Sequence, residues 1–170
     1  PCITDGEITL SETNAIMDYI LDTHDDGRLR PAPGTPNRAD YLFWFHVSQG
    51  SLQPLLTNKF VMMAMTARAP FFLKPAAKML VGGLDKAFFG PRLKALMTEI
   101  EKALGKSTWF AGDNLTAADI VMGYSMELAA HRAGMDAGNY PNAHRFLQQM
   151  RAYPSYQRAL EKDGKGTILL

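Results

Sequence analysis

The sequence predicts a mainly α-helical protein with a small β element at its N-terminal end, and three observations carry that expectation. The first ten residues hold two short β-branched runs, Cys2-Ile3-Thr4 and Glu7-Ile8-Thr9-Leu10, around an Asp5-Gly6 pair. After Leu10 the apolar period changes from two to the helical spacing of Ala15, Ile16, Tyr19 and Ile20. Beyond Pro36, nearly every apolar stretch repeats at three or four residues.

The elements follow in order. Asp5-Gly6 reads as the two-residue turn of a type I′ hairpin, in which both residues need positive φ. A helix starts near Ser11 or Glu12 and ends near Thr23. Residues 24–36, with Pro31, Pro33, Gly34 and Pro36, form the linker candidate. The next helix starts at Asn37, a residue type suited to capping, and carries Tyr41, Phe43, Trp44 and Phe45. Pro54 removes a hydrogen bond to the carbonyl of Gly50 and should kink it.

A break follows at 70–75. The next clear helix begins at Gly90-Pro91, with Leu93, Leu96, Met97, Ile100 and Leu104 inward and Gly105 as its C-cap. Thr116-Ala117-Ala118-Asp119 resembles a capping box, and Leu115 and Ile120 stand at staple positions for a helix running to Gly134. Pro141 opens a helix with Phe146, Leu147 and Met150 inward, and Pro154 opens a short last one containing Tyr156 and Leu160.

Composition excludes several classes. The 170 residues include 18 Lys plus Arg against 17 Asp plus Glu, so no basic excess or basic stripe marks a nucleic-acid binder. The single cysteine, Cys2, rules out an internal disulfide framework and a Cys-cluster zinc site, and it suits a reducing, cytoplasmic setting. The most apolar run, 60–65, is far short of the roughly 18 residues that span a bilayer. The chain opens on Pro1 without a basic n-region and apolar h-region, so no signal peptide and no membrane partner are expected.

Several residues invite a chemical reading. Asp22-x-His24-Asp25-Asp26 has no helical His-x-x-x-His pair and reads as a solvated charge run, so no metal site is expected. His46, His131 and His144 are isolated. Glu12 and Thr13 open a helix, and on spacing alone they read as its cap. Met62 and Met63 suit either bundle core or the wall of an adaptable apolar pocket.

Longer motifs add a resemblance. Pro1-Cys2-Ile3, the hairpin and Leu10-Ser11-Glu12-Thr13-Asn14-Ala15-Ile16 resemble the end of a glutathione S-transferase's thioredoxin-like domain. Residues 109–120, from Trp109-Phe110-Ala111-Gly112-Asp113 to Asp119-Ile120, look like the signature of that family's helical domain, and residues 153–160 its closing segment. Gly50-Ser51-Leu52-Gln53-Pro54-Leu55-Leu56 leans towards bacterial and fungal members.

The resemblance implies a thioredoxin-like remnant over 1–23, a linker over 24–36 and an all-α domain over 37–170. It implies a glutathione transferase in which the bond before Pro1 is cis and backbone near Cys2 assists binding. Glu12 and Thr13 would hold the γ-glutamyl end, Thr keeping the hydroxyl of the family's usual Ser. An electrophile pocket would draw on Met62 and Met63, with Tyr41, Phe45 and His46 as further wall. Glutathione is then a co-substrate, no other cofactor is implied, and relatives are usually homodimers. The thiol-activating Tyr, Ser or Cys belongs to a first strand–helix unit absent from these residues, so it either lies upstream or is missing. Cys2, just after the proline, reads as a small buried hydrophobe and not as a nucleophile. A different class stays open: a non-catalytic, transferase-like helical module for protein interaction.

Overall fold

The computed structural model describes residues 1–163, so the last residues of the expected helical domain, 164–170, lie outside the described residues. Strands β1 (Cys2–Asp5) and β2 (Ile8–Ser11) pair antiparallel, with Ile3 opposite Leu10 and Asp5 opposite Ile8. That register makes the loop Gly6-Glu7, one residue later than expected. Gly6 has φ 58° and Glu7 lacks a positive φ, which is the type II′ pattern instead of I′. Helix α1 (Thr13–Thr23) follows at the expected place and buries Ile16 and Leu21.

Residues 24–37 are irregular but tied down. The Leu29 carbonyl accepts the Ala117 N–H at 2.9 Å. Arg30 reaches back to Asp18 and Asp22 on α1, and Arg38 donates to the Pro31 carbonyl. Helix α2 (Arg38–Val47) starts after Asn37, yet the Asn37 side chain caps nothing: its Nδ2 donates to the Ala111 carbonyl, 74 residues away.

A π turn (Ser48–Leu52) joins α2 to α3 (Gln53–Arg68). The Gln53 N–H reaches five residues back to Ser48, and the Ser48 hydroxyl donates to Phe45. Pro54 therefore falls in the first turn of α3, where its missing N–H costs little.

Helix α4 (Lys74–Leu84) was not legible as a separate helix. It buries no residue, so no inward stripe marks it, and Gly82-Gly83 reads as a breaker. A second π turn (Asp85–Phe89) leads into α5 (Gly90–Lys106), with Leu93, Met97, Ile100 and Leu104 buried as expected. Gly105 is not the C-cap, because the helix continues to Lys106. A Cβ there would sit 3.3 Å from Asn142 Nδ2, so the glycine serves close helix approach.

Helix α6 (Ala117–Arg132) buries 11 of its 16 residues, which makes it the central helix, with α1, α2, α3 and α7 (Pro141–Arg151) packed around it. Helix α8 (Pro154–Asp163) packs on α7. An aromatic chain crosses the core: Trp44 to Phe110 at 4.7 Å, then Phe110 to Phe146 at 4.9 Å.

Helices α5 and α7 exchange caps. The Glu101 carboxylate of α5 accepts the Asn142 and Ala143 N–H groups at the start of α7, each at 2.9 Å. Arg145 of α7 donates in return to the Leu104, Ser107 and Thr108 carbonyls at the end of α5.

Asp119 does more than cap. Fully buried, it accepts the Thr116 N–H and hydroxyl on Oδ2 and the Phe110 N–H on Oδ1, all at 2.8 Å. Burial pushes its carboxyl up, against the pull of these donors. The 109–112 turn closes between Trp109 and Gly112, whose φ of 121° suits glycine.

A second buried carboxylate, Glu127, takes both arms of Arg151, at 2.8 and 2.6 Å, and the Tyr156 hydroxyl at 2.8 Å. Burial would raise Glu127, but Arg151 and Tyr156 outweigh it and hold it below the usual range. Tyr156 is pushed up to about 12 by burial and by that carboxylate.

Two predictions follow from these carboxylates. Asp119→Ala strands the Phe110 and Thr116 N–H groups, so urea unfolding should show a loss of about 2–4 kcal/mol, beyond the ~1 kcal/mol of a lost cap. A loss matching that of Thr116→Ala would reduce Asp119 to a cap. Because the Tyr156 pKa is raised on folding, its contribution is complete below pH 10 and fades towards 12. Stability should therefore fall more steeply across that window in the parent than in Tyr156→Phe; parallel curves would show that Tyr156 is not coupled to folding.

Candidate functional site

The N-terminus of α1 is where the expected binding pair sits. Glu12 occupies the N-cap position with φ 79° and ψ 122°, the one non-glycine positive φ among the described residues. A glutamate has no intrinsic reason to adopt this conformation, which costs of order 1–3 kcal/mol and concentrates at functional positions. No side chain caps this helix end, where the positive end of the helix dipole lies and Thr13 is half-buried.

Asn14, which sequence reasoning passed over, anchors this corner. Its Nδ2 donates to the Phe45 carbonyl of α2 at 2.9 Å, while its Oδ1 is buried without a partner. The only sequence signal was an amide one residue after Glu12-Thr13, too common to interpret.

Cys2 is exposed, which corrects the expectation of a buried side chain. Among the described residues the sheet has two strands, β1 paired with β2. Pro1 is exposed beside Cys2, and the peptide bond that would precede it is not part of the sequence.

Tyr41 and Phe45 are corrected as well. They are 2% and 1% exposed, stacked at 5.5 Å in the core, so neither lines a pocket wall. Two inward positions on a helix that packs against α6 cannot also face a ligand. The Tyr41 hydroxyl is buried near Arg30 without a well-formed bond; burial pushes it up and the guanidinium charge opposes. His46 lies outside, edge-on to Phe45.

Met62 and Met63 line a cleft of about 480 Å³ between α3 and α4, with Thr66, Val81 and Gly82. Lys59 and Asp85 meet in this cleft at 3.1 Å, and Asp85 Oδ1 is buried with no partner. The two expected halves of a site are thus apart. Met62 is 17 residues beyond Phe45, roughly 25 Å along the helical path at 1.5 Å per residue.

The 22–26 run forms ion pairs and hydrogen bonds: Asp22 with Arg30, Asp26 with Arg28, Asp25 with the Leu29 N–H, and His24 with Asp5. Among the described residues no group of three His, Cys, Asp or Glu side chains converges as a metal site.

If Glu12 is strained in the folded state, Glu12→Gly should raise the unfolding free energy by about 1 kcal/mol, because glycine accepts the positive φ. A loss of stability in thermal unfolding would mean that the Glu12 side chain holds the corner together.

Comparison with known proteins bears on the fold and the family. Residues 64–163 match the family described as glutathione S-transferase, C-terminal domain. Glutathione S-transferase 3 of Schizosaccharomyces pombe is 24% identical over 170 residues, all of this chain and 70% of that protein. The crystal structure of a glutathione S-transferase from Actinobacillus pleuropneumoniae superposes with TM-score 0.69 at 25% identity, covering 99% of this chain and 71% of that one. A sphingomonad glutathione S-transferase complexed with glutathione gives TM-score 0.68 at 23% identity, covering 98% and 74%.

Proposed function

The chain belongs to the glutathione S-transferase family, and from that membership we propose that it contributes the γ-glutamyl half of a glutathione site in an enzyme that conjugates glutathione thiolate to small, apolar electrophiles. The observation that carries this reading is Glu12, held at φ 79° beside an uncapped helix N-terminus. The uncapped N-terminus and dipole of α1 suit the ligand's α-carboxylate, and the Thr13 hydroxyl adds a donor. The Glu12 carboxylate suits its ammonium. A zwitterion therefore meets both signs of charge at one corner, with backbone near Pro1 and Cys2 alongside.

Conjugation requires the thiol of glutathione, near 8.5 in water, to lose its proton at neutral pH. The residue that promotes this belongs, by the family resemblance, to a first strand–helix unit outside these residues. In this proposal the chain's own residues bind and orient. Here the α3–α4 cleft with Met62 and Met63 is an apolar wall for the part of the electrophile remote from its reacting atom, which must itself lie at the glutathione thiol. The proposal places the protein in the cytoplasm, as a homodimer, over the domain division 1–23, 24–36 and 37–170.

A non-catalytic interaction module is the second reading, favoured by the exposed apolar residues of α3 and α4. Glutathione titration by calorimetry on the full-length protein separates the two. Glu12→Gln should weaken the affinity about tenfold, the equivalent of 1.4 kcal/mol for a lost charged pair. Met62→Ala with Met63→Ala should alter the ranking of electrophiles by kcat/KM and leave glutathione affinity unchanged. No glutathione binding by the parent protein would sink the enzyme reading, and a Met-variant effect on glutathione alone would sink the cleft assignment.

A further inference from the structure

The α3–α4 cleft is lined unevenly from one end to the other. Lys59 of α3 pairs with Asp85 just beyond α4 at 3.1 Å, and the two helices run antiparallel from that pair to the turn at 69–73. Met62, Met63 and Val81 line the middle, and Lys74 and Lys78 line the end nearest the turn.

The two ends differ in how their charge is met. Asp85 is the one acid among the lining residues, and Lys59 already holds it. Lys74 and Lys78 stand four residues apart on one face of α4, and neither enters an ion pair among the described residues. Like charges at that spacing repel and weaken a helix, a cost that an anion between them removes. The Thr66 hydroxyl beside them is engaged by the Met62 carbonyl at 3.0 Å, so the side-chain donors open to a ligand at this end are the two ammonium groups.

We propose that this cleft takes an organic anion, its apolar body against Met62, Met63 and Val81 and its carboxylate between Lys74 and Lys78. The proposal rests on the reading of the cleft as a wall for the remote part of the electrophile. It narrows that reading from apolar compounds in general to those with an acidic group far from the reacting atom. An uncharged compound leaves both ammonium groups unpaired, whereas a carboxylic acid is ionised at neutral pH and meets the two together. A bare inorganic anion leaves the methionines and Val81 wet, so an amphipathic acid uses the whole cleft. From Lys74 to Asp85 the cleft wall runs roughly 16 Å at 1.5 Å per residue, which suits an extended alkyl chain.

The test compares 10-bromodecanoate with its methyl ester as substrates of the full-length protein. In both, the thiolate sulfur of glutathione bonds to the terminal carbon as the carbon–bromine bond breaks, bromide leaves with the bonding pair, and the thiol proton passes to solvent. The reacting centre is the same, and each rate is divided by that of glutathione alone. The carboxylate should be favoured about tenfold in kcat/KM, and the margin should shrink as salt rises. Lys74→Gln with Lys78→Gln should erase the preference while thermal unfolding and glutathione affinity stay unchanged; both lysines are exposed, so folding is not at stake.

Calorimetric titration with decanoate and with decanol, without glutathione, reads the cleft independently of turnover. Decanoate should bind about tenfold tighter than decanol in the parent and lose that advantage in the lysine variant. Equal use of acid and ester, or a preference that the lysine variant keeps, overturns the inference. Turnover of neither compound sinks the enzyme reading; lysine-dependent binding of decanoate then upholds the anion cleft, and its absence overturns that as well.

Discussion

The Asp119 carboxylate is the interaction on which the rest of the structure depends. It lies in a fully buried position, yet three donors on two segments converge on it, so its desolvation is offset only when both segments are in place. One oxygen starts α6 and the other holds the turn at Phe110. Through Phe110 the aromatic chain reaches α2 on one side and α7 on the other. The Ala111 carbonyl of that turn receives Asn37, and Ala117 at the start of α6 donates to Leu29. A single buried carboxyl group thereby positions four segments that are distant in sequence.

Much of this was legible because it is local. Thr116-x-x-Asp119 announces its own geometry, and the stripe on α5 follows from a helix with one buried face. The hairpin was legible in kind but not in register: Asp-Gly is a strong turn signal, and here Gly6-Glu7 took the turn because Asp5 pairs with Ile8. Helix α4 was missed for the converse reason, since periodicity reports burial and α4 has none. The Asn37–Ala111 and Glu101–Asn142 bonds are long-range pairings between common residue types, which one sequence cannot disclose.

The candidate site shows the same division. Glu12-Thr13 could be found because a helix start and a family motif coincide there, but its backbone strain could not. Tyr41 and Phe45 were mistaken for wall residues because an aromatic-rich helix offers no clue to which face meets α6. Met62 and Met63 do line a cleft, although the reason it is polar at one end, the Lys59–Asp85 pair, joins positions 26 apart.

The reciprocal caps between Glu101 and Arg145 have a consequence for how the bundle breathes. The last turn of α5 and the first turn of α7 borrow their hydrogen-bond partners from each other, so neither can fray while the other stays closed. Their opening is then one concerted event with a shared free energy, where two independent helix ends would exchange amide protons at unrelated rates. The two helices thus behave as a clasp: release of either end frees both.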